Sequence, residues 1–166
     1  MYDLAGMDIE ARIEGETPFG DPSGAVLRGH IGDQRLLFLA RHGAGHRRLP
    51  HEVNYRANIF ALKQAGATRV LGLSAVGHLA EQVAPGDLAL PEQYFDRTRG
   101  AHEPTFFGGG VAAHVATANP VSAAWVDAAA TSARSLNITL HRESALLTPD
   151  DAMTPERRQW LAVLRQ

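Results

Sequence analysis

Thr68, Arg69, Val70, Leu71, Gly72, Leu73 and Ser74 form a nearly continuous apolar run near the middle of the chain. A strand with one face in water alternates apolar and polar residues, whereas a run that is apolar in both parities is buried on both faces, as in parallel sheets covered by helices. The run therefore points to an α/β fold: a mixed, mostly parallel sheet flanked by helices, with Thr68–Ser74 as a central strand and a helix from Glu52 packed on it. It ends in Ser74, Ala75, Val76, Gly77 and His78, and the carboxyl end of such a strand is where ligands sit in α/β sheets.

The flanking segments give the remaining elements. Ile9–Glu14 alternates apolar and polar residues, Thr17–Gly24 is a turn-rich loop, and Ala25–Ile31 and Arg35–Ala40 stand on either side of Gly32 and Asp33. Three strands are predicted, the last two a hairpin. A helix over Glu52–Ala65 has proline before it, Glu52 in its first turn and Gly66 after it. Asp87–Pro91 reads as a strand and Gln93–Gly110 as a long loop with aromatic residues and three consecutive glycines. Asn119 and Pro120 open a second helix with an apolar stripe at Val121, Ala124, Trp125, Ala128 and Leu136. Asn137–His141 follows as a strand, and Thr154, Pro155 and Glu156 cap a last helix. With 166 residues, no repeat and no linker-like stretch, one domain over 1–166 is expected.

Composition narrows the chemistry. Sixteen basic and 18 acidic residues leave a formal charge of −2, so nothing holds nucleic acid or an anionic membrane nonspecifically. No apolar run approaches the roughly 20 residues of a membrane helix, and Asp3, Asp8 and Glu10 make the N-terminus unlike a signal or transit peptide. A soluble, cytoplasmic protein is expected. The absence of cysteine excludes disulfides, thiolate nucleophiles, iron–sulfur clusters and Cys-ligated zinc.

Two segments carry oxyanion chemistry. Arg41, His42, His46, Arg47 and Arg48 surround Gly43 and Gly45 directly after a strand. Arginine offers a planar fork of donors, histidine a further one, and glycine lets the backbone approach. Ser74 and Ala75 supply a hydroxyl and backbone N–H groups at the end of the apolar run. Against these stand plainer readings, a solvated basic loop and a strand-to-loop turn with a satisfied serine. His42, His46 and His51 have short spacing, yet the glycines argue for a loop and Arg47 and Arg48 repel a cation, so no metal is expected. Asn54 and Asn58, four apart on one helix face, could bond a ligand or tie the helix to adjoining loops. Asp96, Arg97 and Thr98 read as an internal ion pair.

Seven ordered segments together resemble the 5′-methylthioadenosine phosphorylase family, including its methylthioinosine-specific members, in the trimeric purine nucleoside phosphorylase group. They are Thr17 to Gly20 with Pro22 and Ser23; Leu39 to Gly43 with His46 and Pro50; Val53 to Ile59 with Ala61, Leu62 and Lys63; Ser74 to Gly77; Pro85 to Leu88; Gln93 to Thr98; and Thr105 to Phe107. The resemblance covers about Tyr2–His141 and only around the first half of a family member. It implies a nucleoside phosphorylase-like fold and pentosyl transfer: inorganic phosphate, the co-substrate, attacks the anomeric carbon of a purine nucleoside and releases the base, with no cofactor. It also implies phosphate contacts from Arg41, His42, Ser74 and Ala75, a homotrimer, and His114 reaching a neighbouring subunit's 5′-substituent pocket.

Departures from the family pattern shape the expectation. The family's first glycine-rich phosphate loop would finish where this sequence starts, and its Glu-Gly-Pro-x-Phe motif, ribose Met-Thr pair and purine-protonating carboxylate are not found in Arg142–Gln166. His78 stands where a serine is usual. No catalytic acid is therefore assigned, and the choice between adenine and hypoxanthine nucleosides is not made in this sequence. Two functional readings follow: a phosphorylase, or a truncated or degenerate relative that keeps a phosphate site without phosphorolysis of its own.

Overall fold

The computed structural model of the chain describes residues 4–77, 81–96, 98 and 105–148, with 143–148 described by their backbone alone. It divides into two compact units, Met1–Leu73 with Gly100–Ala112, and Ser74–Arg99 with Ala113–Gln166. The expected last helix from Thr154, and His78, lie outside the described residues.

In the first unit, β1 (Asp8–Ile13), β2 (Val26–Ile31) and β3 (Gln34–Phe38) form an antiparallel sheet in the order β1-β2-β3. The three predicted strands are all present. Ile31 pairs with Gln34, leaving Gly32 and Asp33 as a two-residue hairpin turn whose first position has φ 54°, a value that costs glycine nothing. The register of β1 on β2 shifts between Ile9 and Ala11, so Glu10 is the extra residue of a bulge. Beside the bulge the β1 backbone crosses so close to Gly29 that a Cβ there would run into the Asp8 carbonyl.

The helix α1 (Tyr55–Gln64) begins three residues later than expected, because Asn54 is its N-cap: its side-chain oxygen accepts the Ala57 N–H at 3.1 Å. Pro50–Glu52 forms a separate 3-10 turn, in which the Glu52 carboxylate accepts the Leu49 N–H at 2.7 Å. Gly66, at φ 99°, closes α1 as expected; its N–H bonds to the Lys63 carbonyl and the Ala67 N–H to that of Leu62. Val26, Val53 and Ala57 form the buried apolar centre of this unit.

The central-strand expectation is overturned. Thr68–Ser74 is in neither sheet, and Leu71 and Leu73 are 63% and 49% exposed. A run apolar in both parities is buried only where strands flank both its edges and layers cover both its faces, and among the described residues it has neither.

In the second unit, β4 (Leu88–Asp96) and β5 (Leu140–Thr148) pair in parallel, which is where the expected parallel pairing is found among the described residues. β4 runs past Pro91 into what the sequence reads as a loop, because the register shifts on both sides of that proline and spare it a ladder bond. The helix α2 (Ala123–Ser135) buries Val126, Ala130 and Ala133 instead of the predicted stripe, and leaves Trp125 and Leu136 exposed. In a helix this rich in alanine more than one face is apolar, and the packed one is the small-residue face at spacings of four and three. Asn137, at φ 53°, ends α2: its N–H bonds to the Arg134 carbonyl and the Ile138 N–H to that of Ala133, so β5 starts only at Leu140.

His141 Nε2 donates to the Asp87 carboxylate at 2.8 Å and the Ala84 N–H donates to it at 3.0 Å. The His141 bond first, and the Ala84 bond after it, hold the Asp87 carboxyl below its ordinary 3.8. Lowered in the folded state, this carboxyl stabilises the second unit above its unfolded pKa and loses that contribution as pH falls through the folded value. Acid titration followed by Trp125 fluorescence should show this loss, and His141→Ala should flatten it. In urea titrations Gly29→Ala should lower stability by about 1–3 kcal/mol, since the β1 backbone has to shift to admit a Cβ.

Candidate functional site

The loop that leaves β3 turns sharply at Arg41–His46. Gly43, Gly45 and His46 have φ of 76°, 73° and 55°. Any other residue at Gly43 is strained for two reasons: the left-handed backbone, and the Ser23 carbonyl, which would lie 3.3 Å from an added Cβ. The Gly43 N–H bonds to the Ala40 carbonyl at 2.8 Å, and the Arg47 and Arg48 N–H groups both reach the His42 carbonyl at 3.0 Å.

Buried hydrogen bonds fasten this loop to α1. Ser23, against which Gly43 packs, donates its backbone N–H to Asn58 Oδ1 at 2.7 Å, and Asn58 Nδ2 donates to the Ser23 hydroxyl at 3.0 Å. Both residues are buried. Asn54 does the same one turn earlier, donating Nδ2 to the Phe19 carbonyl at 2.7 Å. The two asparagines therefore tie helix to loop, and the ligand reading of that pair gives way to the structural one. Arg48 adds a bond to the Pro22 carbonyl at 3.4 Å. Phe19 packs edge-on against Phe60 and Phe106, with the Arg56 guanidinium 5.1 Å above its ring.

Arg41 and His42 are brought into direct contact. Arg41 Nε donates to His42 Nε2 at 3.1 Å, His42 Nδ1 lies 3.0 Å from the Arg48 carbonyl, and Arg41 Nη1 donates to the Leu73 carbonyl at 3.1 Å. A guanidinium only donates and a carbonyl only accepts, so the ring is neutral and carries its proton on Nδ1. The His46 ring stacks on His42 at 4.6 Å between centroids. Residues 41 to 51 include three arginines and no carboxylate. Among the described residues no carboxylate pairs with Arg41, Arg47 or Arg48, and no three acidic or histidine groups gather as a metal ion would need. Among the described residues two of the five guanidinium N–H groups of Arg41 are engaged, both by neutral acceptors, so its charge stays available to an anion.

The other sequence-predicted residues belong to the second unit. Ser74 and Ala75 are exposed in an irregular stretch that opens the second unit, directly after Leu73. His114 is exposed in the same unit, in the irregular stretch before α2. Asp96 Oδ1 accepts the Thr98 N–H and hydroxyl at 2.8 and 2.6 Å, while its expected partner Arg97 is outside the described residues. Ser23 is the contributor whose role the sequence reading missed; a buried asparagine at Asn58 requires a polar partner, and that was the available signal for it.

A family model described as the Phosphorylase superfamily matches residues 4–156. S-methyl-5′-thioadenosine phosphorylase of Geobacter sulfurreducens is 44% identical over 142 residues, 86% of this chain and 50% of that protein. The protein of the same name in Rhodospirillum rubrum is 50% identical over 123 residues, 74% of this chain and 42% of the relative. This chain thus spans about half the length of these curated relatives. Among solved structures, methylthioadenosine phosphorylase from Schistosoma mansoni in complex with adenine superposes with a TM-score of 0.90 at 28% identity, over 98% of this chain and 67% of that one. A methylthioadenosine phosphorylase from an antarctic soil metagenomic library gives 0.89 at 33%, over 98% of this chain and 58% of its own. Their α/β, nucleoside phosphorylase-like fold is the fold class expected from the sequence.

Removing the buried anchor tests how far this loop depends on it. Asn58→Ala leaves the Ser23 N–H without its acceptor, and the expected cost is about 1–3 kcal/mol of stability in urea titration.

Proposed function

Because the chain belongs to the Phosphorylase superfamily, we propose that it serves phosphorolysis of a purine nucleoside of the 5′-methylthioadenosine type, with Arg41 and His42 at the phosphate. The observation that carries this is the Arg41–His42 contact, a guanidinium whose recorded partners are neutral, held in a loop without carboxylates. In the reaction a phosphate oxygen bonds to the anomeric carbon as the bond to the purine nitrogen breaks, giving free base and pentose 1-phosphate. The sugar passes through an oxocarbenium-like state, so the protein's work is to hold the dianion against one face and keep its charge close. Arg41 supplies paired donors. Ser74 and the Ala75 backbone complete the phosphate contacts in this reading, and His114 serves the 5′ substituent of a neighbour's nucleoside in a homotrimer. Inorganic phosphate is the co-substrate and no cofactor takes part.

Anion binding without turnover is the second reading. One pair of measurements separates the two. Phosphate or sulfate binding by calorimetry should weaken by about 1.5–3 kcal/mol in Arg41→Ala. A coupled assay for released adenine or hypoxanthine then reads turnover: binding with turnover supports phosphorolysis, binding without it supports the second reading, and unchanged affinity in Arg41→Ala removes the phosphate site from this loop.

A further inference from the structure

The hydrogen bonds of His42 carry a consequence for which anion the loop accepts, and it rests on the phosphate reading above. Nδ1 must donate to the Arg48 carbonyl, which leaves Nε2 a lone-pair acceptor, occupied here by the Arg41 Nε–H. An anion that bonds to Arg41 through Nε draws that N–H away and leaves Nε2 needing another donor. Hydrogen phosphate has one, since it keeps at least one O–H across the neutral range. Sulfate has none, and it leaves a ring acceptor facing anionic oxygen unless the ring first takes up a proton.

We infer that His42 is a specificity-determining residue that selects a protonated oxyanion: Nε2 accepts the P–OH of hydrogen phosphate while Arg41 donates to the other oxygens. The groups against His42 are the Arg41 guanidinium, the His46 ring and the Arg48 carbonyl, and Arg47, Arg48 and His51 are the other basic residues of its loop and the following turn. Glu52, the acidic residue of that turn, is engaged by the Leu49 N–H, and no described carboxylate makes an ion pair with His42. With the Nδ1 proton held by the Arg48 carbonyl, Nε2 is the nitrogen left to face the anion.

The test compares phosphate and sulfate binding to the full chain by calorimetry from about pH 6 to about pH 8.5. Sulfate binding should take up a proton, so its affinity should fall by as much as about tenfold per pH unit above the ring's midpoint. Phosphate, with its affinity referred to the hydrogen phosphate dianion so that its own ionisation near neutral pH is taken out, should lack this uptake, and on that basis its preference over sulfate should grow as pH rises. His42→Gln, whose amide can donate as well as accept, should bind both anions with a preference that, on the same dianion basis, does not change with pH. Nitrogen NMR of the wild-type ring gives a readout that does not depend on the variant's folding. Nε2 should remain unprotonated with phosphate bound and become protonated with sulfate bound. Equal pH slopes for the two anions, a pH-dependent preference that survives in His42→Gln, or an Nε2 proton in the phosphate complex would each overturn the inference. Absence of any anion binding, or affinity unchanged in Arg41→Ala, would instead remove the phosphate reading on which it rests.

Discussion

A primary amide buried inside a helix has to find a donor for its oxygen and acceptors for its nitrogen, and Asn58 finds both on Ser23. The arrangement stands because leaving such groups unpaired costs about 1–3 kcal/mol each. Fixing Ser23 also fixes its carbonyl, and that carbonyl crowds the space in which Gly43 turns. Gly43 in turn aims the two residues before it. The position of Arg41 and His42 thus depends on hydrogen bonds between Ser23 and a residue of α1 that lies 35 positions further along the chain. Asn54 repeats the device at the N-terminus of the same helix, where one amide caps α1 and grips the Phe19 carbonyl. A single short helix therefore serves as the reference against which both loops of the first unit are placed.

What the sequence made legible divides along a physical line. Features decided by a few adjacent residues were readable: the hairpin at Gly32 and Asp33, the glycine stop at Gly66, and the basic loop at Arg41. Features decided by distant partners were not. Thr68–Ser74 is apolar enough for a central strand, but pairing is a property of its neighbours, and Leu71 and Leu73 remain exposed. The stripe assigned to α2 followed its largest side chain, Trp125, whereas close helix packing selected Val126, Ala130 and Ala133. Asn137 illustrates the competition directly, since a residue that could have begun a strand is taken by the end of the preceding helix.

The same line runs through the candidate site. Donors are side chains and can be counted in a sequence, so Arg41 and His42 were found. Their carbonyl partners here belong to Leu73 and Arg48, groups that every residue carries and no pattern marks. The tautomer of His42 follows from two such partnerships, and no reading of the residues alone could have supplied it.

That carbonyls hold this loop, rather than carboxylates, is also what separates it from an ordinary ion-pair network. The second unit shows the contrast: Arg142 lies 3.3 Å from Glu92 and 3.0 Å from Asp127, so its charge is met by two acids. The bond to Glu92 chiefly, with Asp127 contributing, raises the Arg142 pKa, as follows for a guanidinium compensated within the protein. Arg41 and Arg48 satisfy N–H groups on neutral oxygens, which orients them without cancelling their field. An arginine matched by acids can rigidify a surface but offers little to an incoming anion. One oriented by carbonyls keeps its full charge and loses little freedom when an anion arrives, and that combination suits the phosphate contact proposed for Arg41.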